Sequence, residues 1–71
     1  MDIEKVLEGL YASEINASVS WFWDAGFDWQ LGDDMNGVCA KGCCKTIKEV
    51  AAALHTAAIE HFPGSVYAKT V

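Results

Sequence analysis

The chain has 71 residues, 52% of them apolar, and a formal net charge of −5 from ten acidic residues against five lysines and no arginine. That length excludes a second domain, and that apolar content excludes a disordered chain. The charge balance excludes the clustered cations that non-specific nucleic-acid binding or adhesion to an anionic membrane requires.

A core this small supplies only about 3–5 kcal/mol of net stability, so a staple is expected: disulfides, a metal or a second subunit. The three cysteines are an odd number, and two of them, Cys43 and Cys44, are adjacent. Neighbours in a strand point to opposite faces and make a poor disulfide. The opening "MDIEKVLEGL" is charged from residue 2 and carries no apolar run. No stretch approaches the roughly 20 apolar residues of a membrane span. These features predict a cytosolic protein with reduced thiols, and leave metal or oligomerisation as the staple.

In chain order, Asp2 caps a helix over 3–13, with Ile3, Val6, Leu7, Leu10 and Tyr11 on one face. Glu4 suits the first turn and Gly9 weakens the helix. "ASEIN" ends it. From Ile15 the apolar period becomes two, predicting a strand over 15–24: Ile15, Ala17, Val19, Trp21 and Trp23 on one face, Asn16, Ser18, Ser20, Phe22 and Asp24 on the other. Alternation resumes over 27–32, with Phe27, Trp29 and Leu31 set against Asp28 and Gln30. Asp24-Ala25-Gly26 fits a three-residue hairpin loop whose last residue is left-handed. That loop pairs Trp23 with Phe27, Trp21 with Trp29 and Val19 with Leu31.

"GDDMNG" breaks the second strand, and Asn36-Gly37 signals a further hairpin. A third strand over 38–44 then places Val38, Ala40, Gly42 and Cys44 on the tryptophan face, small enough to admit the indoles. Cys39, Lys41 and Cys43 face the other way. Thr46 and Glu49 form a capping box for a helix over 47–62, with Ile47, Val50, Ala51, Leu54, Ala58 and Phe62 on its apolar face. Pro63-Gly64 stops it, and 65–71 is a tail that docks through Val66 and Tyr67 or frays. The architecture expected is one α+β domain, α-β-β-β-α, an antiparallel three-stranded meander with both helices on one face.

Period-two alternation is the mark of strand burial. The core is therefore expected at Leu7, Leu10, Val19, Trp21, Trp23, Phe27, Trp29, Leu31, Val50, Leu54 and Ala58. Phe22 stands alone among polar residues on the opposite face. There it suits the anchor of a sheet-to-sheet homodimer, with Ser18, Ser20, Gln30, Cys39 and Lys41 around it and Cys43 small enough for close approach.

Chemistry-bearing residues are sparse. Cys39, Cys43, His55 and His61 have the residue types of a metal site, but C-x3-C-C with H-x5-H is not a zinc spacing. His55 and His61 are also six apart, where ligands on one helix face stand three or four apart. A nucleophilic Cys39 or Cys43 would need a pKa lowered by Lys41 or Lys45, and no third orienting residue is visible. Asp24, Asp28, Asp33 and Asp34 with Glu14 lack the spacing of a calcium loop and read as turn chemistry. No catalytic constellation is visible, and no enzymatic activity or cofactor is expected.

The segment "KGCCKTIKEVAAALHTAA" resembles the last strand and helix of a double-stranded RNA-binding domain, which shares the α-β-β-β-α order. In that family a lysine cluster begins the second helix and a Gly-Pro-x-His-type loop joins the first strands. Here Lys45 and Lys48 are the only cations at the helix start, and the loop is "DAG". The resemblance is one of topology, and RNA binding is not expected from it. "LYASEIN", "FWDAGFDWQLGD", "MNG" and "HFPGS" resemble a group of small uncharacterised bacterial proteins over about residues 10–65, which implies a native single-domain protein and no particular activity. The function expected is a non-enzymatic protein–protein interaction module, a homodimer or an accessory to a larger protein. Ligand or metal binding by Cys39, Cys43 and the helix histidines is the alternative.

Overall fold

A computed structural model of the chain describes residues 2–33, 35 and 37–70. The elements run α1 (Ile3–Ala12), β1 (Ala17–Phe22), β2 (Gly26–Asp33), β3 (Gly37–Cys44), α2 (Ile47–His61) and α3 (Val66–Thr70). The α-β-β-β-α order holds, and the expected tail is a third helix. Asp34 and Asn36, assigned by sequence to the β2–β3 turn, lie outside the described residues.

Local chemistry sets the helix ends. The Asp2 carboxylate accepts from the Glu4 N–H at 2.9 Å, satisfying a first-turn donor. At the other end of α1, the Ile15 N–H reaches the Leu10 carbonyl at 3.0 Å and the Glu14 N–H reaches that of Tyr11 at 3.1 Å. Glu14 sits at φ 58°, completing a Schellman motif with buried Ile15 packed in the same cluster as Leu10. The capping box of α2 is complete. Glu49 N–H donates to Thr46 Oγ1 at 3.1 Å, and Thr46 N–H donates to Glu49 Oε1 at 3.0 Å. Beyond Pro63-Gly64, the Ser65 hydroxyl accepts the Ala68 N–H at 3.2 Å and starts α3.

The third helix explains Gly9. A Cβ at that position would stand 2.7 Å from Cδ1 and 2.8 Å from Cε1 of Tyr67. The glycine therefore admits the Tyr67 ring against α1, and Tyr67 is buried. Its hydroxyl lies 2.8 Å from His55 Nδ1 on α2. One ring thus ties the three helices together. Of the two tail residues expected to dock, Tyr67 does and Val66 stays exposed.

The sheet is antiparallel in the order β1-β2-β3. Ala17 pairs with Leu31, Val19 with Trp29, Trp21 with Phe27 and Phe22 with Gly26. This register corrects the expected one by two residues while keeping Ala17, Val19 and Trp21 on one face and Ser18, Ser20 and Phe22 on the other. The loop is Trp23-Asp24-Ala25, closed by the Ala25 N–H on the Phe22 carbonyl at 3.0 Å. Gly26, at φ 92°, is the left-handed residue as expected, but it already belongs to β2. On the other side Phe27 pairs with Cys44, Trp29 with Gly42 and Leu31 with Ala40. Gly42 makes room for an indole: a Cβ there would lie 2.9 Å from Trp29 Nε1. A bulge between Leu31 and Gly32 sets Val38 opposite Gly32. This corrects the expectation that Val38 shares the face of Ala40, because the extra residue at a bulge breaks the alternation.

The buried core is Val6, Leu10, Ile15, Leu31, Val50, Ala51, Leu54, Ala57, Ala58 and Tyr67, with Val19, Phe27 and Trp29 half-buried at its margin. Three expected core residues are on the surface: Leu7, Trp21 and Trp23. Tyr11 and Ile47, placed on apolar helix faces by sequence, are exposed as well. The reason lies in what the helices cover. α2 lies across β2 and β3, while α1 packs against α2 and α3 rather than over β1. α1 therefore buries only Val6 and Leu10, and of the helix-side residues of β1 only Val19 is half-covered while Ala17 and Trp21 stay exposed. Trp23 is a loop residue and has no sheet face to share. Among the described residues no helix is long and apolar enough to cross a membrane.

Candidate protein interface

A run of uncovered apolar side chains begins at β1. Trp21 is 64% exposed, Phe22 70% and Trp23 93%, three consecutive aromatic side chains at one hairpin. Trp21 and Phe22 point to opposite faces of the strand, so the surface wraps its edge. The Trp21 ring leans on Phe27 with centroids 6.2 Å apart and planes at 50°, which fixes it without burying it.

On the open face of the sheet, Ser18, Ser20, Gln30 and Lys41 line one groove of about 510 Å³ together with Asp28 and Cys43. The structure thus gathers four of the six residues expected around a sheet-face interface. Phe22 lies on the same face, beyond Ser20 toward the hairpin tip. Cys39 does not join them. It falls at the bulge and lines a separate depression with Ile15, Asn16 and Phe62.

Within the groove, Cys43 pairs across the sheet with Asp28, and its Sγ donates to Asp28 Oδ1 at 2.8 Å. That hydrogen bond, then the carboxylate charge, pushes the thiol pKa above its ordinary value of 9.0. The neighbour that a reactive thiolate needs is cationic. Cys43 has an anionic one, which corrects the notion of a thiol activated by Lys41 or Lys45.

The metal-type residues stay apart. Cys43 opens onto the outer face, His61 borders a cleft with Trp29 and Ala40 on the helix side, and His55 is engaged by Tyr67. No group of three or more His, Cys, Asp or Glu side chains among the described residues is placed to hold a metal ion. Of the described acidic residues, Glu14 and Asp33 border one depression, while Asp28 lies apart in the groove. Asp33 Oδ1 accepts the Met35 N–H at 2.8 Å, its other oxygen accepts from Asn16 Nδ2, and Asp28 serves Cys43. The Asp33–Met35 bond is the turn chemistry the sequence suggested.

Alternation located the faces of β1 but missed the exposure of Trp21 and Trp23. One sequence signal pointed to it: Ile15–Trp23 is nine residues without an ionisable side chain in a chain of net charge −5. No protein-family model matches the chain, and no match was found among curated proteins or solved structures.

Proposed function

We propose that this chain is a non-enzymatic protein–protein interaction module that acts as a homo-oligomer in the cytoplasm. One observation carries the proposal: the contiguous exposure of Trp21, Phe22 and Trp23. At about 200 Å² per aromatic side chain, these residues leave on the order of 450 Å² of apolar surface in water. Covering it would release roughly 10 kcal/mol before the costs of association are counted. A patch of this size matches the largest one found on a typical monomer, and such patches are often functional, which supports a binding role for the three aromatics. The cysteines, all free thiols, are consistent with a reducing compartment.

Native mass spectrometry of the wild type and of Phe22→Glu tests this reading. The wild type is expected to be a dimer, and the variant a folded monomer. A monomeric wild type at hundreds of micromolar would overturn the proposal. The groove over Ser18, Ser20, Asp28, Gln30, Lys41 and Cys43 supports a second reading, small-molecule binding. A reproducible excess mass per subunit, lost on denaturation, is its signature.

A further inference from the structure

β1 has one neighbour, β2; its other edge pairs with no strand among the described residues. The direction of its backbone groups follows from one bond. The Asn16 carbonyl accepts the Gly32 N–H at 2.7 Å, so Asn16 faces β2. In an antiparallel ladder the residues that bond a given neighbour alternate. Ser18, Ser20 and Phe22 therefore bond β2, while Ala17, Val19 and Trp21 turn their N–H and C=O groups outward. Three residues with one donor and one acceptor each form a strand-length row of unused hydrogen-bonding groups.

We infer that this edge pairs antiparallel with the same edge of a second copy, with the two-fold axis at Val19, to make a continuous six-stranded sheet. The inference rests on the association proposed above and specifies its partner and geometry. Centring on Val19 is the one symmetric register in which all three outward residues of each copy find outward residues. Val19 then faces its own counterpart, and Trp21 of each copy lies across from the partner's Ala17, a small exposed residue.

Two further observations favour a second copy over a different protein. First, an isologous interface sets the residues at its axis against themselves, so a charge there would meet its like. Ile15–Trp23 carries no ionisable side chain, although the chain has a net charge of −5. The flanking Glu14 and Asp24 lie in turns beyond the strand ends. A cationic partner would find nothing in this segment to recognise. Second, the area at hand approaches what an interface needs. The aromatic side chains of two copies expose on the order of 900 Å², the most they can contribute with Trp23 in the loop beyond the strand. The strand backbones with Ala17, Ser18 and Ser20 raise the total toward the roughly 1,200 Å² at which specific interfaces begin.

The test is residue-resolved amide hydrogen exchange on the full chain, with concentration varied from micromolar to millimolar and native mass spectrometry on the same samples. Ser18 and Ser20, bonded to β2, serve as internal references. The inference expects the Ala17, Val19 and Trp21 amides to slow at least tenfold as dimer forms, while the references change little. Ala17→Pro removes one outward donor and leaves the β1–β2 bonds intact. It should weaken dimerisation at least tenfold while the ¹H–¹⁵N spectrum remains folded. A dimer in which the outward amides stay fast would overturn edge pairing and leave association through another surface standing. A chain that is monomeric throughout would overturn both.

Discussion

Replacing Gly9 with alanine should lower stability, against the ordinary rule for helices. In a helix interior, alanine is favoured over glycine by about 1 kcal/mol. Here the new Cβ would lie 2.7 Å and 2.8 Å from two ring carbons of Tyr67. Carbon atoms pack at about 3.5–4.0 Å, so the ring must move by nearly an ångström. The ring has little freedom: it is 5% exposed and its hydroxyl is held 2.8 Å from His55 Nδ1. Overpacking of this kind costs about 1–3 kcal/mol. The net effect of Gly9→Ala is then a loss of about 1 kcal/mol, or about 4–8 °C in Tm for a domain of this size. Urea titration with an unchanged m-value reads it directly. Tyr67→Val removes the ring carbons concerned, and in that background Gly9→Ala should instead stabilise by about 1 kcal/mol. The double-mutant cycle thus carries an interaction of about 2 kcal/mol between residues of α1 and α3. If Gly9→Ala raises the wild-type midpoint as an ordinary helix substitution does, the docking of α3 on α1 is refuted.

Other perturbations follow from the same geometry. Glu14→Gly relieves a left-handed non-glycine residue at the end of α1 and should stabilise by about 1 kcal/mol in the same urea assay. Thr46→Ala removes the acceptor for the Glu49 N–H and should cost about 1 kcal/mol, visible as a lower thermal midpoint. Asp28→Asn removes the carboxylate that holds the Cys43 proton and repels its thiolate. The pH at which Cys43 alkylation reaches half its maximal rate should therefore fall, with faster labelling at any pH below that point. An unmoved profile, followed by peptide mass spectrometry, would show that the Cys43–Asp28 hydrogen bond does not govern the thiol.

What was legible in the sequence was local. The capping box of α2 and the Asp2 cap are pairs of residues within three positions, and both form as read. The alternation of β1 and β2, and of β3 from Ala40 onward, named each strand's two faces because side-chain period is a property of the strand alone. The hairpin register was less accessible. A left-handed Gly26 is compatible both with a loop ending at Gly26 and with a loop ending at Ala25, and these differ by two residues in pairing. Burial was the least accessible, because period shows which residues share a face and not whether another layer covers it. Trp21 lies on the helix side as expected, yet α1 is drawn to α2 and α3 by Tyr67 in the space left at Gly9. A weakened helix position and an undecided tail were two halves of one contact. The groove residues Ser18, Ser20, Gln30 and Lys41 were found because face membership suffices to bring them together. Cys39 was misplaced because the bulge beside it shifts the phase of β3.

The two rims of this sheet are unlike. β3 is interrupted by its bulge and carries Lys41. Those are features by which natural sheets discourage further strands from adding. β1 has none of them. A sheet adhesive on both rims would recruit copies head to tail without limit, and fibres would be the equilibrium product. With one receptive rim, a single symmetric joining consumes every available site. In the proposed pairing, the bulge at Cys39 bears on solubility, because it disfavours further growth at the β3 rim.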